Sequence, residues 1–343
     1  MFLDSLIGMF SVDMAIDLGT ANTLVSVKSK GIIINEPSVV AVRHNRNGKD
    51  SILAVGNDAK NMLGKTPMNI SAVRPMKDGV IADFDMTENM IRYFIQKAHH
   101  RKSLIRPRII ICIPQGITQV ERKAVYESAT NAGARKVYLV EEPMAAAIGA
   151  NLEVSKPEGN MVVDIGGGTT EIGVTSLGGL VLSKSIKVAG DRFDRAIIDF
   201  VRQKFNLFIG ERTAENIKID IGSAYKLKSV IKTRFKGRDA SGGLTSAEIT
   251  SDDIEDALRE SLKEILIAVK NLLEEMPPDL AGDIVDRGLV LTGGGALIRG
   301  FDIFLKENLH IPVRVAEEPL LAVVYGTAEI LEDDKLLRLI ANV

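Results

Sequence analysis

Along the chain, short apolar runs alternate with longer stretches whose apolar positions recur every three to four residues. The first pattern signals strands and the second signals helices. Runs at residues 12–16, 24–27, 32–34, 38–42, 108–113 and 136–140 read as strands, and helical spacing covers 87–99, 120–132 and 143–150. In the second half, strands are expected at 161–163, 171–175 and 289–291. Helices are expected there at 193–205, 213–228 and 252–275, the last stopped by Pro277-Pro278. Thr118 followed by Glu121 is a capping-box signature, which assigns Glu121 to a helix start and not to chemistry. Strands alternating with helices predict an α/β class with helices on both faces of the sheets.

The pattern also repeats. Strand 12–16 runs into Asp17-Leu18-Gly19-Thr20-Ala21-Asn22-Thr23 and then a second strand. Strand 161–163 runs into Asp164-Ile165-Gly166-Gly167-Gly168-Thr169-Thr170 and again a second strand. Both loops read Asp-aliphatic-Gly-x-x-x-Thr, 147 residues apart (164 − 17). That is a domain-sized period, so the repeat marks a duplicated domain and not a solenoid. A length of 343 residues suits two domains better than one core.

Glycines in such loops let backbone N–H groups approach an anion, and Thr hydroxyls add donors. The leading Asp cannot bind phosphate itself; it suits a divalent cation held through water, as Mg²⁺ prefers. Strands on both sides make each loop a phosphate-binding hairpin, unlike the strand-to-helix loops of Rossmann and Walker proteins. Gly64-Lys65-Thr66 mimics the end of a Walker motif, but Ala59 stands where its first glycine belongs, so it reads as a loop. A third glycine run, Thr292-Gly293-Gly294-Gly295-Ala296, stands between a strand and an expected helix; taken singly it reads as a tight strand–helix turn, and its glycines would also let a planar base or ribose lie against the backbone.

Composition narrows the function. Lys and Arg number 43 against 45 Asp and Glu, with no Trp and 5% aromatic residues, which argues against nucleic acid as a partner. The one cysteine, Cys112, sits in an apolar run and reads as a buried strand thiol; with four His, no metal-ligand cluster stands out. These features suit a reducing cytoplasm. At the start of the chain, Phe2, Leu3, Leu6, Ile7, Met9 and Phe10 share one helical face. No basic residue precedes Lys28, so a secretory signal is not expected, and the segment is too short to span a bilayer. Such a segment either packs on the protein itself or lies in a membrane interface, and the interface is the expectation here because two Phe would otherwise be exposed.

The order of the Asp17–Thr23 loop, Glu142-Pro143-Met144-Ala145, the Asp164–Thr170 loop and Thr292–Gly295 resembles the actin-type ATPase superfamily of actins, heat-shock chaperones and sugar kinases. Within it the chain resembles the MreB family of bacterial actin homologues over nearly its whole length. The matching stretches include 35–39, 70–83, 141–149, 190–194 and 214–218. A sugar kinase would need an added substrate pocket and usually an Asp base, where this chain has Glu141-Glu142-Pro143; a chaperone would need a further substrate-binding domain.

The resemblance implies an actin-like α/β fold of two duplicated domains, each a mixed sheet flanked by helices, with ATP and Mg²⁺ in the cleft between them. Residues 1–145 plus 320–343 would form the first domain, with the amphipathic segment 1–11 and an inserted subdomain at about 32–75. Residues 146–319 would form the second, with an inserted subdomain at about 180–250. Asp17 and Asp164 would hold Mg²⁺ through water. Thr20, Ala21, Asn22, Gly166, Gly167, Gly168 and Thr169 would surround the phosphates. Glu215 and Lys218, with Gly293, Gly294, Gly295 and Ala296, would contact the rest of the nucleotide. Glu142, assisted by Thr169, would position the attacking water, with Glu141 as the alternative.

For the membrane, the resemblance points to Phe2, Leu3, Leu6, Ile7 and Phe10, and to Leu104 and Ile105 in a loop flanked by basic residues. It implies a slow ATPase whose filaments lie in the cytoplasm, peripheral on the inner face of the cell membrane. These filaments would organise cell-wall synthesis with membrane proteins of the elongation machinery and maintain rod shape. Two stretches depart from the family pattern: 324–330, with Tyr325 and Glu329 where small residues are usual, and the Gly-rich 232–244.

Overall fold

The computed structural model describes residues 12–45, 50–99 and 106–341. Phe2, Leu3, Leu6, Ile7 and Phe10, and the pair Leu104 and Ile105, therefore lie outside the described residues. The chain divides into two compact units: Met1–Lys156 with Leu177–Gly179 and Leu321–Val343, and Pro157–Ser176 with Leu180–Leu320.

In the first unit, β1 (Met14–Leu18) pairs antiparallel with β2 (Asn22–Val27), which pairs antiparallel with β3 (Gly31–Pro37). Next, β4 (Val40–Arg43), β5 (Ser51–Val55) and β6 (Ile70–Val73) form a separate three-stranded sheet beside the one-turn helix α1 (Asn57–Lys60). A short pair, β7 (Met76–Lys77) and β8 (Val80–Ile81), leads into α2 (Phe84–His99). The main sheet is completed by β9 (Arg108–Ile113) and β10 (Lys136–Glu141), parallel to each other, with β9 also parallel to β1. The run Ile109-Ile110-Ile111-Cys112-Ile113 is buried throughout, as a strand covered on both faces requires.

Between β9 and β10 lies α3 (Gln119–Ala132), and β10 is followed by α4 (Glu142–Gly149). The capping box that starts α3 is formed: Glu121 N–H donates to Thr118 Oγ1, and Thr118 N–H donates to Glu121 Oε2.

The second unit repeats the main sheet strand for strand. Its order is β17 (Val313–Val315), β16 (Leu289–Thr292), β11 (Asn160–Ile165), β12 (Thr170–Ser176) and β13 (Gly179–Ile186), against β10-β9-β1-β2-β3 in the first. Here β11 (Asn160–Ile165) pairs antiparallel with β12 (Thr170–Ser176), which neighbours β13 (Gly179–Ile186). The helices α5 (Gly190–Phe205) and α6 (Glu211–Ile221) follow, then a hairpin of β14 (Lys232–Arg238) and β15 (Leu244–Thr250). After α7 (Ser251–Glu274) and α8 (Pro278–Arg287), β16 (Leu289–Thr292) joins β11 in parallel, and a 3₁₀ turn at Gly294–Leu297 precedes α9 (Phe301–Leu309) and β17 (Val313–Val315). The core here gathers Phe193, Ile197 and Val201 of α5 with Leu258, Leu262 and Ile265 of α7 and the sheet.

Two elements differ from the expected boundaries for identifiable reasons. The helix expected over 213–228 ends at Ile221. Beyond Gly222 the chain is held by the 299 segment instead, with Ala224 N–H donating to Arg299 O at 2.9 Å. The glycine run after β16 forms the 3₁₀ turn, and the regular helix starts only at Phe301.

The chain ends in the first unit with α10 (Ala322–Glu332) and α11 (Asp334–Ile340). Helix α10 crosses α4 at backbone contact. A Cβ on Gly149 would lie 1.8 Å from Ala322 O, and one on Gly326 would lie 1.9 Å from Ala145 O. The departing residues Tyr325 and Glu329 are exposed on α10, so they do not disturb this crossing. Cys112 is buried, with Sγ 2.8 Å from Thr327 Oγ1 of α10.

Candidate functional site: two hairpins with one register

The two repeated loops fold as hairpins with the same offset. Asp17 stands opposite Leu24 and Leu18 opposite Thr23; Asp164 stands opposite Glu171 and Ile165 opposite Thr170. Each turn is tight. A Cβ on Gly19 would lie 2.7 Å from Asn22 O, and Gly166 N–H donates to Thr169 O at 2.9 Å. Among the described residues, the N–H groups of Gly19, Thr20 and Ala21 in one turn, and of Gly167, Gly168 and Thr169 in the other, make no backbone hydrogen bond. Three successive N–H groups in each turn therefore remain available to an acceptor outside the backbone.

In the second unit, the hairpin is the centre of a dense arrangement. Asp164 lies beside Thr292 in the parallel β11–β16 register, and Thr292 Oγ1 donates to Asp164 Oδ1 at 2.7 Å. Burial pushes the Asp164 carboxyl up from 3.8 to about 6, and the Thr292 hydroxyl pulls it the other way. A buried carboxylate with a single protein hydroxyl donor fits a site completed by a cation.

The glycine run packs directly against this strand end. Cβ atoms on Gly293 and Gly295 would meet Ile165 at 2.4 and 2.2 Å, and Gly293 has φ 78, open only to a residue without a side chain. Gly294 and the buried Ala296 continue the same turn.

On the other side of the hairpin, the carbonyls of Gly166 and Gly167 accept from Gly190 N–H (3.1 Å) and Asp191 N–H (2.7 Å) at the start of α5. Lys218 Nζ donates to Gly190 O at 3.1 Å and lies 2.9 Å from Asp194 Oδ1. That second contact is an ion-pair distance without hydrogen-bond alignment. Glu215, one turn before Lys218, is half-buried. Lys218 thus pairs with Asp194 of α5.

In the first unit, Thr20 is buried and its Oγ1 accepts from Gly79 N–H at 3.1 Å. Ser38 supports the same turn, donating to Gly19 O at 2.6 Å and lying 2.9 Å from Thr23 Oγ1. Asp17 closes the carboxyl half of β1, and Glu142 follows the carboxyl end of β10. Because β1, β9 and β10 run parallel, both acids sit at the same edge of the sheet, the edge at which open α/β sheets present their sites. Glu142 is buried at the first turn of α4, whereas Glu141 pairs with Arg122 at 3.5 Å.

Around the hairpin of the second unit stand Asp194, Gly190 and Thr292, and around that of the first Ser38 and Gly79, to none of which the sequence assigns a role. Among the described residues, no group of three or more His, Cys, Asp or Glu could by itself hold a metal ion. No helix among the described residues is long and apolar enough to cross a membrane.

The family model described as MreB/Mbl protein matches residues 11–338. The cell shape-determining protein MreB of Escherichia coli (strain K12) is 56% identical over 329 residues, covering 95% of this chain and 94% of that protein. The crystal structure of MreB5 of Spiroplasma citri bound to ADP matches with a TM-score of 0.89 and 37% identity, covering 96% of this chain and 97% of that one. The structure of a MamK double helical filament matches with a TM-score of 0.80, covering 94% of this chain and 99% of that one; at 20% identity it bears on the fold alone, which is actin-like.

Proposed function

The chain belongs to the MreB/Mbl family, and from that premise we propose that it is an actin-like cytoskeletal ATPase acting in cell shape. In this reading it binds ATP with Mg²⁺, hydrolyses it slowly and assembles into filaments. The filaments lie on the inner face of the cell membrane, where they organise cell-wall synthesis with membrane proteins of the elongation machinery. The relatives support the coarser part: one carries cell shape in its name, and one was solved with ADP bound. The observation that carries the ATPase reading is the pair of hairpins in one register, each with a leading carboxylate and three successive backbone donors.

When bound, Mg²⁺ would neutralise phosphate charge and help the transferring phosphoryl group accept electron density. The chain's own groups would do the remaining work. Asp17 and Asp164 orient water molecules, and the N–H groups of Thr20, Ala21, Gly167, Gly168 and Thr169 donate to phosphate oxygens. The side chain of Asn22 offers a further donor at the end of the first turn. Lys218, held at Gly190 by Asp194, and Glu215 recognise the adenosine part beside the Gly293–Ala296 turn. Glu142 accepts a hydrogen bond from the attacking water, assisted by the Thr169 hydroxyl, because in-line attack needs an oriented water more than a strong base.

For the membrane, Phe2, Leu3, Leu6, Ile7, Phe10, Leu104 and Ile105 supply apolar surface of the kind that enters a lipid interface. The test is co-sedimentation with liposomes and electron microscopy, with ATP or ADP and Mg²⁺, against a Phe2→Ala/Leu6→Ala/Phe10→Ala variant. ATP-dependent filaments on liposomes, lost from the lipid in the variant, are expected. A protein that stays monomeric with and without lipid would sink the filament reading.

A further inference from the structure

The β14–β15 hairpin of the second unit carries a charge pattern that the nucleotide chemistry does not use. Alternation along β14 puts Phe235 and Gly237 on the buried side, where Phe235 packs edge-on against Phe205 of α5. The opposite face presents Lys232, Arg234, Lys236 and Arg238, all exposed, at a spacing of about 7 Å along the strand. Across from them on β15 stand Thr250, Glu248, Ser246 and Leu244.

Among the outward residues of the two strands Glu248 is the one acid, and it pairs with Lys232 at 3.0 Å; Asp239, at the turn after Arg238, is engaged locally, accepting from Ser241 N–H at 2.9 Å and Gly243 N–H at 2.8 Å. No ion pair engages Arg234, Lys236 or Arg238 among the described residues. The approach to β14 adds the exposed Lys226 and Lys228 and the exposed Val230. Beside Arg238, Leu244 is 83% exposed.

A merely solvated strand face mixes both signs of charge. This one is a regular cationic comb with an apolar side chain at its tip, on a chain whose net charge is −2. We propose that the outer face of the β14–β15 hairpin docks on an anionic lipid surface, its cations on headgroup phosphates and Leu244 in the interface. Unpaired cations supply the attraction, and an exposed Leu next to Arg238 gains by leaving water there. An acidic polypeptide would also meet the charge, but it gives Leu244 no apolar medium to enter. The proposal extends the membrane reading to the second unit on residues of its own, without using the N-terminal segment.

Sedimentation of the full chain with vesicles tests it, comparing phosphatidylcholine alone with phosphatidylcholine plus phosphatidylglycerol, at low and high salt. Arg234→Gln/Lys236→Gln/Arg238→Gln should weaken binding to the anionic vesicles roughly a hundredfold at low salt, at about fivefold per charge. Arg234→Lys/Arg238→Lys should bind like the parent, and Leu244→Ser should weaken binding less than the Gln variant. Melting curves establish that each variant is folded; the buried side of β14 is untouched in all of them.

Phe2→Ala/Leu6→Ala/Phe10→Ala separates the two membrane readings. If it keeps the salt-sensitive preference for anionic vesicles, the hairpin acts independently. If the Gln variant binds as the parent does and only the N-terminal variant fails, the hairpin proposal is overturned and the terminal anchor stands. Capture of soluble polyglutamate by an N-terminal variant that ignores anionic vesicles would replace lipid by an acidic protein partner and also overturn it.

Discussion

Thr292 and Asp164 face each other at the ends of two parallel strands, and the Thr292 hydroxyl donates to Asp164 Oδ1 at 2.7 Å. This bond joins the third glycine run to the second of the repeated hairpins through a buried carboxylate. Thr292→Val leaves Asp164 without that donor and should cost about 1–3 kcal/mol of stability. Asp164→Asn keeps an acceptor for Thr292 and removes the buried charge, so the apoprotein should melt no earlier than the parent. Its stabilisation by ATP with Mg²⁺ should vanish, since a ligand raises stability only as far as it binds the native state. Thermal melts with and without nucleotide check both; an undiminished ATP shift in Asp164→Asn would remove Asp164 from the site.

Asp194 provides a pH-dependent counterpart. Burial pushes its carboxyl up from 3.8 to about 6, against the pull of Lys218. The native state therefore holds this proton to higher pH than the unfolded chain does. The stability that follows is fully present below about 3.8 and is lost as pH rises through about 6. Asp194→Asn cannot titrate, so its stability relative to the parent should improve between pH 4 and 7, by an amount on the order of 3 kcal/mol. Denaturant titrations at the two pH values measure this. A constant difference between variant and parent would show that burial does not perturb Asp194.

The crossing of α4 and α10 has no room for a methyl group. Gly326→Ala would place a Cβ 1.9 Å from Ala145 O, and Gly149→Ala one 1.8 Å from Ala322 O. Each should destabilise the first unit by on the order of 3 kcal/mol. Tyr325→Ala, one position away and exposed, should change stability little. Equal melting temperatures for Gly326→Ala and the parent would mean the helices separate at small cost.

Much of this was legible before any coordinates. The two hairpins follow from a repeated string of residues, and the start of α3 from Thr118 and Glu121, because these signals are local. The central strands follow from uninterrupted apolar runs such as 109–113. The end of α6 was not legible: Arg299, far along the chain, holds Ala224 and cuts the helical pattern short. The sequence shows the β14–β15 hairpin only as an unusual Gly-rich stretch, because the outward face of β14 is all charged and the strand signal rests on Phe235 and Ile249. Resemblance alone puts Lys218 at the nucleotide, and its partner Asp194 lies on a different helix. No spacing rule within one helix finds such a pair.

Glu141 and Glu142 are adjacent, and their surroundings differ. Glu141 ends β10 and pairs with Arg122 of α3 at 3.5 Å, which ties it to a structural neighbour. Glu142 opens α4 in a buried position, before Pro143. A carboxylate that orients water must present an oxygen acceptor held in place, and the first turn of a helix packed on α10 supplies the rigidity. Glu142→Gln keeps the shape but accepts a hydrogen bond less strongly, and Glu142→Ala removes the acceptor. Phosphate release should fall about a hundredfold or more in Glu142→Ala and less in Glu142→Gln. Affinity for ATP, read by fluorescent-nucleotide displacement, should stay near that of the parent in both. Glu141→Gln should change hydrolysis only a few fold while lowering stability slightly through the loss of its pairing with Arg122. If Glu141→Gln instead abolished hydrolysis and Glu142→Ala did not, the roles would be reversed and Arg122 would become the group that holds the water-orienting carboxylate.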